Sequence, residues 1–141
     1  MRFMMLMIPK VYQRGQDAGP DFRPSAEMVE QMMKYNEKLA EAGVLLSLDG
    51  LHPPATGVRV SFSRGKANVT DGPFAESKEV LGGYWMIQTK SKEEAIDWVR
   101  RCPAQEGDVI ELRQVFDVSD FPPDVQKAAE NPTVAAATRR A

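Results

Sequence analysis

Strand-like and helix-like segments alternate along this chain in an order that predicts an α+β fold, a ferredoxin-like sandwich with an inserted β-hairpin. Three observations carry that prediction. Two segments with helical spacing of apolar residues each follow one strand-like run and precede another, a split βαβ arrangement. A strictly alternating segment, closed by a Gly-containing turn, lies between the two halves and reads as a hairpin. The 141 residues, 43% apolar and 27% charged, suit one domain with a sizeable core.

Residues 3–8, FMMLMI, are continuously apolar, as in a strand covered on both faces. The run is too short to span a bilayer, and Pro9-Lys10 stands where a signal peptide would place small residues. Residues 11–23 hold Gly15, Gly19 and Pro20 among polar side chains and read as a loop, long enough to be a candidate lid. From Ser25 onward Met28, Met32, Tyr35, Leu39 and Ala42 recur at three and four residues. Glu27, Glu30, Lys34 and Glu37 supply the solvated face, and Gly43 stops the helix. The methionine stripe is read as core packing beneath a sheet rather than as an adaptable binding surface.

Residues 44–47 read as the second strand, ended by Asp49-Gly50 and the turn His52-Pro53-Pro54. Val58, Val60 and Phe62 then alternate with Arg59, Ser61 and Ser63. Arg64-Gly65-Lys66 turns the chain, and residues 68–70 begin the return. Residues 80–88 form the next strand. Ser91, with Glu94 three residues on, makes a capping box for a helix that buries Ala95, Ile96 and Val99 and ends at Pro103. Residues 109–116 are the last strand. The domain therefore covers residues 1–118, and residues 119–141 form a C-terminal tail with a short helix at 124–130 and mobile last residues. Helices cover only one face of such a sheet. The other face needs a cover, and self-association into a homodimer is the expected one.

Composition narrows the function. A net charge of −2, with Lys and Arg clustered no further than pairs, argues against nucleic acid as a partner. No segment is long and apolar enough for a membrane span. The single cysteine, Cys102, excludes an internal disulfide and suits a reducing cytoplasm. With one histidine, His52, it leaves no expected metal site. No P-loop, dinucleotide fingerprint or nucleophile elbow occurs, and no cofactor is expected.

What remains distinctive is TDGPFAESKEVLGGYWMI, residues 70–87. Asp71 before Gly72-Pro73 reads as a turn former, or as an acid at a strand end facing a cleft. Asp71, Glu76 and Glu79 lie close enough in sequence for mutual repulsion to raise a carboxyl pKa. Gly82 and Gly83 mark a close approach, either by a ligand or by another stretch of backbone. His52 is an exposed turn residue or, if the hairpin brings it to Asp71, half of an oriented general base. Arg59 points to solvent from the polar side of its strand and Arg113 pairs with Glu111 on one face, or either arginine holds a substrate carboxylate. Tyr84 packs in the core or offers its phenol to the same pocket. Cys102 reads as an inert, partly buried thiol.

With SKEEAIDWVRRCP and IELRQVF after it, this stretch resembles the DGPF branch of the YCII-related family over residues 1–116. The resemblance implies a dimeric ferredoxin-like fold of the α+β barrel type. It also implies a cleft where a His and an Asp meet. Relatives that act on small cyclic or chlorinated aromatic compounds make lyase or isomerase chemistry the implied enzymatic alternative. The Asp of that pair corresponds to Asp71, whereas His52, in GLHPPATG, stands outside the signature. Encoding beside extracytoplasmic-function sigma factors implies the other alternative, a regulatory, ligand-sensing module. The combined expectation is a cytoplasmic homodimer with a pocket near Asp71, Glu76, Gly83 and Tyr84 for a small polar or aromatic molecule. If that pocket is catalytic, Asp71 moves a proton while Arg59 or Arg113 neutralises the developing anion; in the non-catalytic alternative Asp71 serves only the turn.

Overall fold

The apolar N-terminal run becomes β1 (Arg2–Ile8), an inner strand with a partner on each side. The computed structural model describes residues 1–13, 19–74 and 80–138. After β1 come α1 (Ala26–Glu41), β2 (Leu45–Gly50), β3 (Val58–Ser63), β4 (Lys66–Asp71), β5 (Gly83–Gln88), α2 (Lys92–Arg100), β6 (Val109–Gln114), α3 (Pro123–Ala128) and α4 (Pro132–Thr138). Among the described residues, four strands form an antiparallel sheet in the order β2-β5-β1-β6, and β3 pairs only with β4. With the hairpin set aside, that order is the ferredoxin-like one.

Alternation assigns the faces. Phe3 lies opposite Ile87, and Met5 opposite both Trp85 and Leu112. These side chains meet Tyr35 and Leu39 of α1 and Ala95 and Trp98 of α2 in one buried cluster. The Tyr35 ring meets Trp85 edge to face, with centroids 6.1 Å apart, and its hydroxyl donates to the Trp98 carbonyl at 2.7 Å. Trp98 is therefore the main side chain that α2 buries, beside Ala95, while Ile96 and Val99 are half-buried. The sequence pattern favoured the aliphatic residues and passed over the indole.

Both helices begin where a serine hydroxyl can accept an orphan N–H: Ser25 from Met28 and Ser91 from Glu94. The Glu94 carboxylate reaches one residue beyond the expected box and accepts from the Lys90 N–H at 2.8 Å. β2 runs through Asp49 and Gly50, where the sequence suggested a turn, because Gly50 pairs with Gly83 and Leu51 N–H still donates to the Gly82 carbonyl. A register shift between Leu45 and Ser47 adds a bulge near its start. β5 begins at Gly83 rather than Val80, so Gly82 precedes the strand and Gly83 opens it, and neither interrupts it.

The hairpin turns on Arg64 and Gly65, whose φ angles of 53° and 73° fit a two-residue type I′ turn. Past β6, Arg2 pairs with Asp117 at 2.8 Å and also donates to the Phe116 carbonyl. The Phe116 and Phe121 rings lie 4.8 Å apart. Two helices, α3 and α4, follow where the sequence suggested one short helix, and residues 139–141 lie outside the described set. Among the described residues no helix is long and apolar enough to cross a membrane.

Candidate functional site

A cleft of ≈ 510 Å³ opens between α1, one end of the sheet and the segments flanking residues 14–18. Its floor is made where side chains run out: Gly50 faces Gly83 across β2 and β5, next to the Leu48–Trp85 pair. A Cβ at Gly83 would lie 2.9 Å from the Asp49 carbonyl oxygen, and one at Gly82 would run into the Pro9 ring and Tyr12. Both glycines therefore admit neighbouring chain segments. What they leave in front of them is the cleft.

One wall is α1, where Met28, Met32 and Met33 all line the space. Met32 packs against the core as expected, but Met28 is 41% and Met33 56% exposed, so the stripe read as core packing also forms an apolar wall. The facing wall is Pro9, Val11, Tyr12 and Phe22, with the Tyr12 and Phe22 rings edge to face at 5.9 Å. Burial raises the Tyr12 phenol above its ordinary range, and the Arg23 charge pulls it back by less. Lys10 N–H and Gln105 N–H each donate to the Asp108 carboxylate at 2.8 Å. Gln13 adds a bond to the Gly107 carbonyl at 3.0 Å. These bonds pin the segment after β1 to the turn before β6. The lid expected over residues 11–23 thus has two described flanks on the cleft, and residues 14–18 lie outside the described ones.

Deep on the α1 wall sits Asn36, only 6% exposed. Its Oδ1 accepts from the Trp85 indole N–H at 2.7 Å, and its Nδ2 reaches Met33 Sδ at 3.5 Å. The sequence reading missed it. The available signal was a polar residue inside an apolar stripe, four positions after Met32 and three before Leu39.

Of the residues singled out from sequence, His52, Gly82, Gly83 and Tyr84 line the cleft. Asp49, which faces Tyr84, lines it too, although alternation turns both side chains to the opposite face of the sheet from Trp85. There the Tyr84 hydroxyl donates to Asp49 Oδ2 at 2.9 Å. Asp71, Arg59 and Arg113 do not line the cleft, and Glu76 lies outside the described residues. Among the described residues the arginine at the cleft is Arg23, which donates to the Phe22 carbonyl at 2.7 Å. Glu111 and Arg113 share a face without an ion pair between them.

The described part of the DGPF stretch has a structural account. Gly72 N–H donates to the Gly57 carbonyl at 2.8 Å, and a Cβ there would strike the Pro54 carbonyl oxygen. The Arg59 guanidinium lies 4.0 Å above the Phe74 ring. Asp71 ends β4 opposite Val58, exposed, its carboxylate without a hydrogen bond or ion pair among the described residues. The turn clips the hairpin to the 3-10 turn Pro54–Thr56, two residues past His52.

Cys102 packs with its Sγ 4.0 Å from Met32 Sδ. Burial, with the Asp108 charge adding to it, pushes the thiol up to about 12, so it is not a nucleophile at neutral pH. Among the described residues no three His, Cys, Asp or Glu side chains cluster as metal ligands would.

Fold and site together define a small ferredoxin-like α+β domain with an apolar cleft at one end of its sheet. The chain belongs to the YCII-related domain family, whose model matches residues 1–119. An uncharacterised protein of Rhizobium meliloti (strain 1021) is 38% identical over 80 residues. That stretch takes in 54% of this chain and 64%, less than two thirds, of the relative's length.

Proposed function

We propose that this chain binds a small, largely apolar molecule in the cleft between α1 and the segment after β1. The observation that carries the reading is the cleft's volume of ≈ 510 Å³ together with its lining. Methionine, aromatic and aliphatic side chains make the walls, with Asn36 inside and His52 and Arg23 at exposed positions. A concave apolar space with a few placed polar groups is the usual form of a small-molecule site. Proton transfer at such a site falls to His52, the imidazole lining it, and among the described residues Arg23 is the cation at hand for an anionic group. Asp71, exposed at the end of β4, then serves the hairpin. A regulatory, ligand-sensing role, as the DGPF resemblance implies, needs the cleft and no catalytic acid.

Methionine-methyl NMR tests this. Four of the eight methionines, Met7, Met28, Met32 and Met33, line the cleft, while alternation places Met4 and Met86 on the sheet's other face. Aromatic fragments should shift the first four and leave the last two unmoved. Shifts confined to Met4 and Met86 would overturn the reading.

We also propose a homodimer, supported by the β3–β4 hairpin. Val58, Val60, Phe62 and Val69 are exposed on it, and a lone two-stranded hairpin is marginal in water. Mass measurement in solution tests it.

A further inference from the structure

We infer that Asn36 selects ligands that carry a hydrogen-bond acceptor at their buried end, the ligand being a planar aromatic or heteroaromatic molecule with a carbonyl oxygen or ring nitrogen. This rests on the cleft being the binding site. Trp85 fixes the amide's orientation. Its indole N–H can only donate, and it points at Oδ1 from 2.7 Å, so the opposite orientation would set donor against donor. The –NH₂ is what remains for the cleft.

That group carries two N–H donors, and its partner is the Met33 thioether at 3.5 Å, a weak acceptor. It sits on a side chain that is 6% exposed, among Met32, Met33 and Trp85. Sulfur pairs these N–H groups only weakly, and a ligand oxygen or nitrogen facing them would pair them better. A ligand donor placed there would meet N–H with N–H. The walls argue for the planar shape: three methionines favour sulfur–aromatic contacts, and Tyr12, Phe22 and Trp85 present ring surfaces.

Quinoline and indole separate the possibilities on the full chain. They are of similar size and hydrophobicity, but neutral quinoline only accepts at its ring nitrogen and indole only donates. Quinoline should bind roughly tenfold more tightly, the worth of one buried hydrogen bond, and should move the Asn36 side-chain N–H resonances downfield. Asn36→Asp keeps an acceptor for Trp85 and removes the donors, so the preference for quinoline should vanish. If that variant fails to fold, the Asn36 resonances of the parent chain still decide. Equal affinities, or bound quinoline that leaves those resonances in place, would overturn the selection by Asn36 while the cleft stands. Neither probe moving the Met7, Met28, Met32 and Met33 methyls would overturn both.

Discussion

The four-stranded sheet hides its apolar row beneath α1 and α2, whereas the β3–β4 hairpin shows the same alternation and hides nothing. Phe3, Met5 and Ile87 are buried among Tyr35, Leu39 and Trp98, but Phe62 is 81% and Val69 68% exposed. Period-2 patterning says which residues share a face. It does not say whether anything lies over that face. The hairpin is held by its type I′ turn, its backbone ladder and the docking of Gly72 on Gly57, with little burial of its own.

Substitutions should expose this contrast, from a large effect to a small one. Ile87→Ala removes a fully buried side chain and should cost about 2–5 kcal/mol in urea unfolding, as other large-to-small core changes do. Gly82→Ala forces a methyl against the Pro9 ring and Tyr12, an overpacking worth about 1–3 kcal/mol. It should also weaken fragment binding, because the displaced segment is a cleft wall; unchanged affinity would show that this wall is dispensable.

Alkali should act through the helix side of the sheet. Burial pushes Cys102 up to about 12 and raises Tyr35 above its ordinary value, so both keep their protons in the folded chain after the unfolded chain has lost them. Stability is therefore whole below roughly pH 8.5, the ordinary thiol value, and falls as pH climbs from there toward 12. Denaturation midpoints that stay level between pH 8 and 10.5 would contradict this. The smallest effect is expected at the hairpin, where Phe62→Ser should change monomer stability by no more than about 0.5 kcal/mol. If the hairpin joins two copies, that substitution should lower the mass in solution, and a cost like that of Ile87→Ala would erase the contrast.

Much of the fold was legible because it is written locally. Met32, Tyr35 and Leu39 mark the face of α1, Ser25 and Ser91 mark helix starts, and Arg64-Gly65 marks the turn. Strand ends were less legible, since Gly50 and Gly83 look like breakers until they are seen to face each other. The site was the hardest to read. Its walls come from segments far apart in sequence, joined by bonds such as Lys10 N–H to Asp108. The DGPF signature drew the eye to Asp71, yet its described residues meet Pro54, Gly57 and Arg59 outside the cleft. Asn36 left a readable trace, a polar residue where α1 should be apolar, and only contact with Trp85 gives that trace a meaning.

The central position of β1 also bears on when the chain can fold. Phe3 must wait for Ile87 on one side and Gln114 on the other, so it finds its two partners only after more than 80 and more than 105 further residues have been synthesised. A nascent chain halted before residue 109 presents the run Phe3-Met4-Met5-Leu6-Met7-Ile8 with the β6 side open. Contacts so distant in sequence favour slow, late assembly and expose an aggregation-prone strand meanwhile. Ribosome-bound chains of increasing length should therefore gain protease resistance in one step, once β6 has cleared the exit tunnel.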